Sequence, residues 1–213
     1  MVVRVVSFDL EGTLVDESFS ESVWNEGIPH LYAEKHGLGF DESKAKILAE
    51  YDNVGDSRVE WYDIRYWFNR FGLEYREQFL KRYIDKIKYY PEVFEVLEEL
   101  ERRYVLILVT NSYRDFINIL TAKVGHYFKG VFSATSDFRT LKRKCETYVR
   151  VCEHLNLNPC NVVHVGDRLE DDFSSPRRIG MQAFLLNRSK KTSEGCVVFD
   201  LKDFSDRLKS LIE

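Results

Sequence analysis

The 213-residue chain lacks any apolar run approaching the roughly 18–20 residues that a membrane-crossing helix needs. Its longest such run, Tyr104 to Thr110, has the length of a strand. A basic excess is also missing: 31 Lys and Arg stand against 35 Asp and Glu, a net charge of −4. General nucleic-acid binding calls for the opposite balance or a basic face. The four cysteines, Cys145, Cys152, Cys160 and Cys196, form no C-x-x-C pair, and no His stands at zinc-finger spacing from two of them. They read as reduced, mostly buried thiols. Gln occurs only at 78 and 182, while Glu, Lys and Arg abound, a composition that thermostable proteins favour. Internal repeats and low-complexity segments are absent. The opening Met1-Val2-Val3-Arg4 has no signal-peptide pattern and is followed by an acid at Asp9. What is present, 44% hydrophobic and 14% aromatic residues, is enough for a real core. The expectation is a mildly acidic cytoplasmic protein with no membrane or nucleic-acid partner.

Hydrophobic periodicity divides the chain. Val2 to Asp9 is β-branched and strand-length, as in a buried parallel strand that ends in an acid. From Asp16 the spacing becomes helical over 19–36, 43–52, 58–71 and 75–88, with Trp24, Ile28, Leu31 and Tyr32 on one face and Trp61, Ile64 and Phe68 on another. After Pro91 helix and strand alternate. Strands are predicted at Tyr104–Thr110, Gly130–Thr135, Asn161–Gly166 and Ala183–Asn187, with a short apolar run at Val197–Phe199. Helices are predicted at Tyr113–Lys123, Cys145–Leu155, Asp171–Gly180 and Phe204–Ile212. Such alternation predicts an α/β fold, a doubly wound parallel sheet with helices on both faces. Its core is residues 1–15 and 89–213, interrupted by a small helical domain over 16–88.

Ligands of open parallel sheets bind beyond the carboxyl ends of the strands. The first strand delivers Asp9-Leu10-Glu11-Gly12-Thr13 there, the second Thr110-Asn111-Ser112, and the fourth Gly166-Asp167 with Asp171 and Asp172 close behind. Lys142-Arg143-Lys144 precedes the helix that leads into the fourth strand. Several carboxylates in one place repel unless a cation neutralises them, and hard oxygen ligands favour Mg²⁺. A lysine with Thr and Asn donors suits a phosphoryl dianion. A strand-end carboxylate can attack phosphorus, and a second acid two residues later can protonate the leaving oxygen and then activate water. His164 reads as a packed strand residue, and Asp171 and Asp172 also suit the N-terminal end of a helix dipole.

Phe8-Asp9-Leu10-Glu11-Gly12-Thr13-Leu14 resembles the first motif of the haloacid dehalogenase-like superfamily, commonly Asp-x-Asp-Gly-Thr. Val109-Thr110-Asn111 resembles the second motif, Lys142 the third-motif lysine, and Gly166-Asp167 with Asp172 the fourth. The insert over 16–88 looks like the type-one cap of that superfamily, over a Rossmann-like core. The resemblance implies a Mg²⁺-dependent phosphatase acting on a small phosphorylated metabolite. It implies Asp9 as nucleophile and metal ligand, and Glu11 as general acid/base with its backbone carbonyl on the metal. It implies Thr110 and Asn111 on the phosphoryl oxygens, Lys142 as the balancing cation, and Asp167 and Asp172 on the metal. Two departures stand out. Glu11 replaces the common Asp and moves the acid by roughly 1.5 Å, although Asp-x-Glu-Gly-Thr also resembles the first motif of enolase-phosphatases. The third motif reads Lys-Arg, which leaves Lys142 and Lys144 as alternatives. A sugar-phosphate phosphotransferase, or a non-catalytic phosphate-binding regulator, would use the same parts.

Overall fold

The computed structural model describes residues 3–75, 78–190, 192 and 195–210. Six parallel strands form one sheet in the order β3-β2-β1-β4-β5-β6. They are β1 (Val5–Phe8), β2 (Val105–Thr110), β3 (Phe128–Ser133), β4 (Val162–Gly166), β5 (Gln182–Leu186) and β6 (Val197–Val198). The order reverses beside β1, so the crevice used by doubly wound sheets opens at the ends of β1, β2 and β4.

Successive strand side chains point to opposite faces, and the β-branched runs have apolar residues for both. Val6, Phe8, Leu106, Leu108, Val163 and Val165 belong to one buried cluster. Helix α6 (Val93–Glu101) enters that cluster through Val93, Val96, Leu97 and Leu100, and α11 (Leu201–Ser210) through Leu201, Phe204 and Leu208. Val5, Ile107, Val109 and Val162 form the other cluster with Tyr148, Val151 and Cys152 of α9 (Glu146–His154). Each such buried side chain contributes about 1.5–3 kcal/mol relative to exposure, so the sheet is held from both faces.

Several expected boundaries move. β3 ends at Ser133, because the Ser133 side chain accepts the Ser136 N–H at 2.9 Å and starts α8 (Ala134–Phe138), which takes Thr135 out of the strand. The helix expected over 171–180 begins instead as a wide π-type turn at Leu169–Ser174 and becomes α10 at Ser175–Arg178. The Asp172 carboxylate accepts the Arg168 N–H at 3.0 Å, which holds that wide turn. The last helix begins at Leu201; Leu211 and Ile212, like Val2 of the first expected strand, lie outside the described residues.

Between 18 and 86 the described residues form helices and turns. These include α1 (Ser18–Ser22), α2 (Ile28–His36), α3 (Phe40–Val54), α4 (Ile64–Arg70) and α5 (Gln78–Lys81). Asp63 caps α4 by accepting the Arg65 and Tyr66 N–H groups. Trp67 is fully buried at the centre, edge-on to Tyr51 at 4.6 Å, and donates its indole N–H to Trp61 O at 3.0 Å. Phe19 and Trp24 both meet Phe116 of α7 (Arg114–Leu120), so this helical block and the sheet share a continuous apolar contact. The chain enters and leaves the block side by side: Asp16 N donates to Lys88 O at 2.9 Å, and Tyr90 N to Leu14 O at 3.1 Å.

Candidate active site

Asp9 follows the last residue of β1, and its N–H still donates to Val165 O in the neighbouring strand at 3.0 Å. The chain then doubles back. Gly12 adopts φ +79°, and Gly12 N donates to Val15 O at 2.8 Å. A Cβ on Gly12 would stand 2.5 Å from the Asp167 carboxyl carbon, so only glycine lets the two loops approach. Gly166 is equally tight, since a Cβ there would run into the carboxyl group of Asp172.

Asp9, Asp167 and Asp172 each place a carboxylate oxygen within 4.8 Å of the others. Lys142 is 2% exposed and hydrogen-bonds both Asp9 and Asp172, the latter at 2.6 Å. Lys144 is exposed, so of the two alternatives it is Lys142 that reaches the carboxylates. Burial acts against the Lys142 ammonium, yet Asp172 and Asp9 outweigh it and keep the lysine charged. For Asp172, too, burial is outweighed, here by Lys142 and His164, and the carboxyl stays well below the usual range. Asp9 goes the other way. Burial, opposed by Lys142 but reinforced by Asp172 and Asp167, raises its carboxyl well above the usual range. Burial and Asp172 push Asp167 up to about 6. Lys142 bridges two of the three carboxylates, and Asp167 has the exposed Arg168 at 3.4 Å.

His164 is fully buried, and burial lowers its pKa, so the ring is neutral. Its Nε2 lies 3.0 Å from Asp172 Oδ1 and its Nδ1 2.8 Å from Ser7 Oγ. The carboxylate accepts from Nε2–H, and the Ser7 hydroxyl then donates to Nδ1. The expectation of a packed histidine holds, with the addition that its packing aims Asp172.

Thr110 and Asn111 are buried at the end of β2. Asn111 Oδ1 accepts the Lys142 N–H at 2.9 Å, while its amide faces Asp171 at 3.5 Å. Hydroxyls at the junction of β3 and α8 brace this loop: Thr135 donates to Asn111 O, and Ser133 to Ser112 O, both at 2.9 Å. Glu11 stands apart from the carboxylate trio. Ser112 Oγ donates to it at 2.6 Å, and Ser20 of α1 donates to its other oxygen. Burial raises the Glu11 carboxyl, against those two hydrogen bonds. Ser112 had a signal in following Thr110-Asn111; Ser20 had none.

Arg188 was also invisible in sequence. It donates to Gly12 O and Thr13 O at 3.3 and 2.8 Å, pairs with Glu92 at 2.8 Å, and lies 3.4 Å over the Tyr90 ring. It thereby ties the turn after Asp9 to the segment by which the chain returns from the helical block. Asp9, Glu11, Thr110, Asn111 and Lys142 all line one cavity of about 560 Å³ beneath that block.

The family model of haloacid dehalogenase-like hydrolases matches residues 3–180. The chain belongs to this family. Glyceraldehyde 3-phosphate phosphatase of Pyrococcus furiosus is 24% identical to this hydrolase over 203 residues, covering 88% of this chain and 82% of that protein. Among solved structures, a HAD phosphatase from Thermococcus onnurineus superposes with a TM-score of 0.84 at 26% identity, covering 97% of this chain and 98% of the other. L-2-haloacid dehalogenase from Xanthobacter autotrophicus shares the fold, with a TM-score of 0.64 and 17% identity over 99% of this chain and 100% of that one. The hydrolase has no helix, among its described residues, long and apolar enough to cross a membrane.

Proposed function

We propose that this hydrolase is a Mg²⁺-dependent phosphatase that cleaves a small phosphomonoester through an aspartyl-phosphate on Asp9. The observation that carries the reading is the pairing, in one cavity, of a strand-end carboxylate held by a buried lysine with a second, separately held acid of raised pKa. Residues 16–88 act as the cap over a core of residues 1–15 and 89–213, and the setting is cytoplasmic.

The donor set suits Mg²⁺. Asp9 and Asp172 are buried on Lys142, Asp167 beside them is half-buried and meets Arg168 at 3.4 Å, and Asp167 Oδ1 is buried with no hydrogen-bond partner among the described residues. Asp9 and Asp167 hold the open lone pairs. Asp172 already accepts from Lys142, His164 and the Arg168 N–H, and serves the metal as a third, firmly aimed carboxylate. A Mg²⁺ ion held by these carboxylates would supply positive charge that favours ionised Asp9 and would polarise a bound phosphoryl group.

The chain's own groups divide the remaining work. An Asp9 oxygen forms the new bond to phosphorus as the ester P–O bond breaks. Glu11, whose carboxyl burial pushes up and so readies it to carry a proton, gives that proton to the departing alkoxide. The Glu11 carboxylate then takes a proton from water as the water oxygen attacks phosphorus and expels Asp9. Thr110 and Asn111 donate to the phosphoryl oxygens and Lys142 offsets their charge. Ser20 and Ser112 hold the longer Glu side chain from both sides, which offsets the freedom of its extra methylene.

Phosphate release from p-nitrophenyl phosphate and a panel of phosphorylated metabolites, with MgCl₂ or with EDTA, tests the proposal. Release should stop in EDTA and in Asp9→Asn. Absence of release across the panel, or release that survives the loss of Asp9, refutes it.

A further inference from the structure

The cavity that holds Asp9 and Lys142 is larger than the phosphoryl site alone. Its volume of about 560 Å³ falls in the range of roughly 300–1,000 Å³ typical of pockets for whole organic ligands. The helical block contributes flat walls to it through Trp24, Trp61 and Tyr62. These rings are fixed before any ligand arrives. Trp24 lies flat on Phe116, with centroids 5.4 Å apart and planes 11° from parallel, and Tyr51 closes on its edge at 5.8 Å. Trp61 and Tyr62 meet edge to face at 5.0 Å, and the Tyr62 hydroxyl donates to Asp56 O at 3.3 Å.

The charges lining the cavity are already matched. Arg143 pairs with Asp56 at 3.1 Å and with Asp171 at 3.3 Å, and so links the block to the core. Arg168 pairs with Glu17 at 2.7 Å and with Asp167 at 3.4 Å. Lys142 is committed to Asp9 and Asp172. Among the described lining residues every cation is thus in use, while Glu21 and Glu170 add carboxylates at the same cavity. A second anionic group on a substrate would have to break one of these pairs and then face the released carboxylate.

We propose that the substrate is a phosphomonoester whose alcohol portion carries a flat, uncharged ring and no second anionic group. This rests on the phosphatase reading and narrows it. Ring–ring contacts with Trp24 and its neighbours supply the binding that a three-carbon phosphate cannot. A phosphocarboxylate or bisphosphate meets a cavity with no cation to spare.

The test is kcat/KM on the Mg²⁺-loaded wild-type protein for 2-phenylethyl phosphate and adenosine 5′-monophosphate against ethyl phosphate, glyceraldehyde 3-phosphate, 3-phosphoglycerate and fructose 1,6-bisphosphate. The ring-bearing esters should lead by about tenfold or more. In Trp24→Ala the ratio of 2-phenylethyl to ethyl phosphate should fall to within about threefold, mainly through KM. The wild-type ratios stand even if that variant does not fold. Faster turnover of glyceraldehyde 3-phosphate, the phosphocarboxylate or the bisphosphate overturns the inference and leaves the phosphatase reading intact. Absence of turnover of every ester, p-nitrophenyl phosphate included, removes both.

Discussion

Replacing Asp167 by Asn should make the metal-free protein more stable while removing its response to Mg²⁺. Burial and the neighbouring Asp172 push the Asp167 carboxyl up to about 6 from a reference of 3.8. At about 1.36 kcal/mol per unit, ionising it in the folded state costs roughly 3 kcal/mol more than in the unfolded chain. The folded carboxyl binds its proton more tightly than the unfolded one. This penalty is therefore absent below about pH 4, grows as pH rises towards 6 and is constant above that. Asn keeps the shape and never ionises. For a chain of this size about 2–4 °C accompanies each kcal/mol, so Asp167→Asn should melt roughly 6–12 °C above wild type at pH 8 in EDTA. The difference should shrink towards zero near pH 4. Millimolar MgCl₂ at pH 8 should raise the wild-type midpoint by ligand linkage and leave the variant unmoved. Scanning calorimetry at the two pH values, with and without Mg²⁺, gives all four numbers. A variant less stable than wild type at pH 8, or a gain equal at both pH values, would refute the reasoning.

Lys142→Met leaves Asp9 and Asp172 buried without their cation, at a cost of about 3–5 kcal/mol; denaturant titration should show that loss, and phosphate release should vanish. Ser112→Ala removes the 2.6 Å hydrogen bond to Glu11. It should lower kcat/KM for alkyl phosphates by ~10-fold or more, and kcat/KM for p-nitrophenyl phosphate far less, because expelling that leaving group needs no proton. An equal fall in kcat/KM for both would show that Ser112 does not act through proton donation by Glu11. Gly166→Ala drives a methyl into the Asp172 carboxyl and displaces it from Lys142 and His164. Activity should fall about a hundredfold, and a crystal structure of the variant should show Asp172 moved.

The fold was legible because its signals are local. Val5 and Val6, Val105 to Thr110, and Val162, Val163 and Val165 are β-branched or aliphatic, as parallel strands covered on both faces favour. The acids that end β1 and β4 were legible for the same reason, since a strand's end tells where the next side chain emerges. Thr135 and the start of the helix after β4 were misjudged. Their outcomes depend on the Ser133 hydroxyl and the Asp172 carboxylate capturing backbone N–H groups, and no hydrophobic period reports that. Lys142 and Lys144 are the same residue two positions apart; the approach of Asn111, Asp9 and Asp172 to the first buries it and leaves the other in water.

The sequence alone determined an α/β sheet of parallel strands, a helical interruption between 16 and 88, and a convergence of Asp9, Thr110, Asp167 and a lysine of the 142–144 run beyond the carboxyl ends of the strands. Those properties follow from periodicity and from chain connectivity, which act over a few residues at a time. The tertiary structure decided how many carboxylates one lysine must serve, which hydroxyls hold Glu11, and that the arginines of the cavity are already paired. Such facts depend on contacts between distant segments: Ser112 reaches Glu11 across 101 residues, and Arg143 reaches Asp56 across 87. Packing in three dimensions is what brings those groups within a few ångströms, and their charge and donor balance exists only once they are there.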